Sequence, residues 1–80
     1  MNREEITAKV SSIISETVDH HNFTISDDLV ATDVDGWTSL AHAMIIQSIE
    51  LEFGFKFKFV DLMNWKIFKD LIDIIELKLR

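Results

Sequence analysis

The chain has 80 residues, no cysteine, 48% apolar residues and a formal net charge of −6. That length admits one domain, residues 1–80, with a core too small to enclose a deep catalytic cleft. The apolar content excludes a disordered chain, and the absence of cysteine excludes disulfides and thiolate metal sites. The N-terminus does not read as a signal peptide and no apolar run approaches the ~18 residues of a membrane span, so the expected location is the cytoplasm and no membrane span is expected.

The first element is an amphipathic helix over about residues 3–20. Asn2 and Glu5 have the spacing of a capping box, and Glu4 favours the positive helix end. Ile6, Val10, Ile13, Ile14 and Val18 then follow at helical spacing. From His20 to about Thr38 no period holds. The stretch is rich in Asp, Asn, Thr and Ser, with Phe23, Ile25, Leu29 and Val30 placed to pin it across the helix ends. A loop this long in a small domain is usually functional.

Gly36 closes the loop, and Ser39 can cap or open a second helix. Leu40, Ala43, Ile46, Ile49 and Phe53, with Ile45, form its expected buried stripe, and Gly54 its stop. Phe53, Phe55, Phe57 and Phe59 alternate like a strand, but a lone strand has no partner here. An extended connector with rings packed in the core is expected, with the lining of an acyl sleeve as the functional alternative. Val60–Met63 reads as a short helical turn. Phe68, Leu71, Ile72, Ile75 and Leu79 define a last helix over about 66–79, in which Asp73 and Lys78 are poorly spaced to pair. Trp65 is expected to cover the core between the last two helices.

Charge is segregated. Between Lys9 and Lys56 lie Glu16, Asp19, Asp27, Asp28, Asp33, Asp35, Glu50 and Glu52 without a Lys or Arg, whereas the segment from Lys56 onward is net positive. An acidic middle repels nucleic acid and attracts basic protein surfaces; it also serves solubility alone.

The chemistry concentrates in Asp35-Gly36-Trp37-Thr38-Ser39-Leu40. A serine where a loop turns into a helix projects its hydroxyl from a helix N-terminus, an environment that favours phosphate. Its bland counterpart is a serine that only caps the helix. Ser39 and His42, three apart, have the spacing of a nucleophile and base, but no orienting third residue or oxyanion hole is evident, so His42 is expected at the surface and no catalytic residue is assigned. His20 and His21 with Asp19 offer weak metal-ligand potential, and no metal site is assigned. Trp37 reads either as a partner anchor or as packing of the loop onto the second helix.

Over essentially its whole length the chain resembles the acyl carrier protein family. The resemblance lies in Gly36-Trp37-Thr38-Ser39-Leu40 opening the second helix, Glu50-Leu51-Glu52-Phe53-Gly54 ending it, and Ile67-Phe68-Lys69-Asp70-Leu71 opening the last. It implies an all-α four-helix bundle of acyl-carrier type, with a long loop between helices 1 and 2 and a short third helix. It also implies a 4'-phosphopantetheine arm on Ser39, supplied from coenzyme A by a phosphopantetheinyl transferase with magnesium, carrying acyl or aminoacyl groups as thioesters. Implied partners are that transferase, an acyl- or aminoacyl-loading ligase, and a downstream synthase or acyltransferase, meeting a monomer at Asp35, Trp37, Thr38, Leu40, Ala41, Met44, Glu50 and Leu51. The chain departs from the family at Thr38, where an Asp is usual, and at Ala41, Met44 and Leu51, where acids are common. These departures favour a specialised pathway of fatty acid or polyketide type over the housekeeping one. The alternative is an unmodified acidic interaction module of the same fold.

Overall fold

The computed structural model describes residues 1–18 and 23–80. Its elements are helix α1 (Arg3–Val18), a short 3₁₀ turn (Ala31–Asp33), α2 (Ser39–Phe53), α3 (Phe59–Asn64) and α4 (Phe68–Lys78). The described residues are all-helical in their regular structure, with four α-helices and no strand. No helix among them is long and apolar enough to cross a membrane.

The capping box forms at the start of α1. The Glu5 N–H donates to Asn2 Oδ1 at 2.9 Å, and the Asn2 N–H donates to Glu5 Oε1 at 3.3 Å. Ile6, Val10, Ile14 and Val18 recur every fourth residue and are all buried, which turns one face of α1 onto α2 and α4. Residues 19 and 20, assigned to this helix from sequence, lie outside the described residues, as do the His20–His21–Asp19 candidates.

The buried stripe of α2 differs from the expected one. Ala41, Ile45 and Ile49 are buried, whereas Leu40 and Ala43 face outward and Ile46 is half-buried. Apolar side chains occur nearly all round this helix, so period alone allows several phases. The phase is settled at the N-terminal end, where His42 turns toward Trp37 and Trp65 and brings Ala41 and Ile45 onto the core. At the other end Gly54 takes a left-handed conformation, φ 76°, and its N–H donates to the Glu50 carbonyl at 2.9 Å.

Residues 55–58 form the expected extended connector. Phe53, Phe55 and Phe57 pack partly buried against the core, with the last two rings edge to face at 4.9 Å. The connector is held by Glu50, whose Oε2 accepts the Phe57 N–H at 2.8 Å. Phe59 departs from the row and is exposed. It opens α3, where the period changes from two to 3.6 and turns its ring outward.

The long loop is stitched to the start of α4. The Phe68 N–H donates to the Leu29 carbonyl at 2.8 Å and the Lys69 N–H to the Asp27 carbonyl at 3.0 Å. Asp70 Oδ2 accepts from the Lys66 and Ile67 N–H groups at 3.1 Å each. The otherwise orphaned amides of the helix N-terminus are thus satisfied. The 3₁₀ turn had no sequence signal. Ion pairs close the bundle: Arg3 reaches Asp73 at 2.8 Å and Glu76 at 3.3 Å, and Lys78 reaches Asp61 of α3 at 2.7 Å. Asp73 therefore pairs with Arg3 and, at 2.8 Å, with Lys69, leaving Lys78 for α3.

Candidate functional site

Val34, buried at 5%, anchors the loop just before the site. Gly36 adopts φ 84°, a left-handed turn that favours glycine. The turn closes through Trp37 N–H to Val34 O at 3.3 Å and Thr38 N–H to Gly36 O at 3.0 Å. Thr38 then caps α2 in an extended conformation, and its Oγ1 accepts the Ala41 N–H at 3.1 Å. The Thr38 carbonyl accepts the first helical bond, from the His42 N–H at 2.9 Å.

Ser39 is therefore the first residue of the helix and not its cap. It is exposed, and its hydroxyl makes no hydrogen bond among the described residues. The backbone N–H groups of Ser39 and Leu40 likewise have no protein partner there. Thr38 performs the capping, so Ser39 is not a capping serine. What remains at Ser39 is a hydroxyl and, with Leu40, two amides without partners among the described residues, at the positive end of a 15-residue helix.

Trp37, His42 and Trp65 form an aromatic cluster at this end. The Trp37 indole Nε1–H donates to His42 Nδ1 at 3.0 Å. The imidazole stacks on Trp65, with centroids 4.6 Å apart and planes at 23°. The two indoles lie 6.2 Å apart. The three rings wall a cavity of about 60 Å³ together with Leu29, Lys66 and Phe68. His42 is thus half-buried, contrary to the surface position expected from sequence, because the indole N–H requires an acceptor and the ring supplies it. Burial holds its pKa below the ordinary imidazole value. Its Nδ1 is occupied by Trp37, and no hydrogen bond joins it to Ser39 among the described residues. Trp65 packs partly buried against the core, beside Trp37 of the loop and His42 of α2.

The sequence-assigned partner residues separate into two groups. Asp35, Thr38, Leu40, Met44 and Leu51 are exposed around or below Ser39, and Trp37 is half-buried. Leu40, Met44 and Leu51 fall on one outer strip of α2 with Gln47 between them. Ala41 is a correction: it is 6% exposed and faces the core, because the phase of α2 turns it inward. Glu50 is bound inward by the Phe57 N–H and lies 3.9 Å from Lys56. Glu52 lies 3.7 Å from Lys9. Both α2 carboxylates are thereby engaged within the chain, and the outer strip of α2 is apolar at Leu40, Met44 and Leu51. The exposed acids near Ser39 are on the loop, at Asp33 and Asp35. No group of three or more metal-ligating side chains occurs among the described residues.

No protein-family model, curated protein or solved structure matches the chain.

Proposed function

We propose that the chain is an acyl carrier protein, which holds acyl or aminoacyl intermediates on a 4'-phosphopantetheine arm attached to Ser39. The observation that carries this reading is the division of labour between Thr38 and Ser39. Thr38 caps the helix, and Ser39 is left exposed at a helix N-terminus whose first two N–H groups have no partner among the described residues. That setting fits a phosphodiester on Ser39 Oγ, because the free amides and the helix dipole both favour its charge. The arm would supply a thiol for thioester linkage.

The residues of the chain itself present and release. Gly36 and Val34 set the loop so that the hydroxyl stands clear of the bundle. Asp33 and Asp35 give this end a negative field that draws a transferase or loading ligase with a basic surface. The outer strip Leu40–Met44–Leu51 supplies apolar contact with a downstream synthase or acyltransferase, an arrangement suited to partners of a specialised pathway. Docking of this kind is weak and exchanges quickly, and the tether supplies a high effective concentration of cargo at each partner. Thr38 stands where an Asp is usual in such carriers; it retains the cap but not the charge. The test is an intact mass before and after incubation with coenzyme A, magnesium and a broad-specificity phosphopantetheinyl transferase.

A further inference from the structure

We propose that His42 is a positioning residue: by accepting the Trp37 indole N–H it fixes the segment that presents Ser39, and protonation of its ring undoes that hold. The proposal rests on the carrier reading for what Ser39 receives, but the hold itself is a property of the free chain.

The bond brackets the site. Trp37 lies two residues before Ser39 and His42 three after, so the 3.0 Å contact spans the Thr38 cap and ties the end of the loop to the first turn of α2. An indole nitrogen only donates, so His42 Nδ1 presents a lone pair and the ring proton sits on Nε2. The Trp65 stack fixes the plane of the ring, and the Trp37 N–H fixes its tautomer and which nitrogen faces the loop. With the three rings in place, the loop cannot swing away from α2 without breaking the Trp37–His42 hydrogen bond.

A second proton has only Nδ1 to occupy. It turns the acceptor into a donor that faces the Trp37 N–H, and the bond is lost. The cationic ring still gains from Trp65, whose face attracts a cation. The result is a two-position device in which His42 stays on Trp65 and Trp37 is released. The elements around His42 are the loop, through Leu29, Ala31 and Trp37; the α3–α4 connector, through Trp65 and Lys66; and the start of α4, through Phe68. Lys66 is the charged residue among them. Burial disfavours the charged ring, so the change falls below the 6.5 of an ordinary imidazole.

The test compares wild type, His42→Leu and His42→Gln as substrates of the transferase from about pH 8 down to about pH 5, the range in which imidazole titrates. Gln retains an acceptor that does not titrate; Leu has none. At the upper pH His42→Leu should raise the KM for the chain about fivefold with kcat unchanged, the equivalent of one lost hydrogen bond. Wild type should converge on His42→Leu as the pH falls, while the ratio of His42→Gln to His42→Leu stays constant. Exchange of the Trp37 indole proton, referenced to that of Trp65 by NMR, should be slow in wild type at high pH and fast at low pH and in His42→Leu. A folded His42→Leu with wild-type KM at high pH, or an indole proton indifferent to both pH and substitution, would overturn the proposal. A wild-type chain that takes up no arm at any pH overturns the carrier reading and the presentation role with it, and the indole exchange then shows separately whether the hold exists.

Discussion

Thr38 Oγ1 accepts the Ala41 N–H at 3.1 Å, so the residue before Ser39 caps α2 and Ser39 has no structural duty at the helix start. Thr38→Ala should cost about 1 kcal/mol, the usual value of a lost N-cap. In a domain of this size that lowers Tm by about 4–8 °C in thermal unfolding followed by circular dichroism. Thr38→Asp should retain the wild-type Tm, since Asp caps as well as Thr, and should be modified faster than wild type by a transferase that favours an acidic neighbour. Ser39→Ala should leave the unfolding free energy within about 0.5 kcal/mol of wild type, as for a surface change away from any special contact.

The phase of α2 makes a sharp contrast between neighbours. Ile45 is fully buried and Leu40 is 71% exposed, although both belonged to one expected stripe. Ile45→Ala should destabilise the chain by about 2–5 kcal/mol, close to the whole stability of a small domain, and Leu40→Ala by no more than about 0.5 kcal/mol. Urea unfolding of the two variants distinguishes this phase from the one with Leu40 inward.

Asp61 couples α3 to α4 through Lys78 at 2.7 Å and also accepts the Lys58 N–H at 2.8 Å. The bond from Lys78, then that from the Lys58 backbone, holds its pKa below the ordinary carboxylate value of 3.8. A depressed carboxylate stabilises the fold fully above its unfolded pKa, and that contribution is lost as pH falls through the folded value. Stability of wild type should therefore fall more steeply below about pH 4 than that of Asp61→Asn, which lacks the titrating group. Urea midpoints measured from neutral to acid pH read the difference directly.

Gly54 ends α2 at φ 76°, and a Cβ there would meet no atom within 4 Å. The cost of Gly54→Ala is therefore conformational, about 1–2 kcal/mol for an L-residue in the left-handed region. A Gly54→Asn variant should lose less, because Asn tolerates that region. Thermal unfolding of the pair separates backbone strain from packing, which would penalise the larger Asn more.

Elements with a strong single period were legible from sequence. The α1 face of Ile6, Val10, Ile14 and Val18, the Asn2–Glu5 box and the Gly54 stop all formed as their spacing requires. The phase of α2 was not legible, because its apolar residues nearly encircle the helix. The outward turn of Phe59 was hidden by the alternation it shares with Phe55 and Phe57. At the site, the segment around Ser39 stood out from the Gly36 turn and the helix that follows. The assignment of the cap to Thr38 did not, since Thr and Ser cap alike and only geometry chooses. His42 was misplaced because the partner that buries it, Trp65, lies 23 residues away and brings no local signal. The inward commitment of Glu50 and the surface pairing of Glu52 are of the same kind: sequence displays their charge but not the Phe57 amide or Lys9 that engages it.

The central claim is that Ser39 Oγ carries the arm, and intact-mass spectrometry tests it most directly. Wild type and Ser39→Ala, both shown to be folded by circular dichroism, are incubated with coenzyme A, magnesium and several phosphopantetheinyl transferases. The account predicts a mass increase of one arm in wild type and none in Ser39→Ala. No increase in wild type with any transferase, or the same increase in Ser39→Ala, would contradict it; the first result would point instead to an unmodified interaction module built on the same helices.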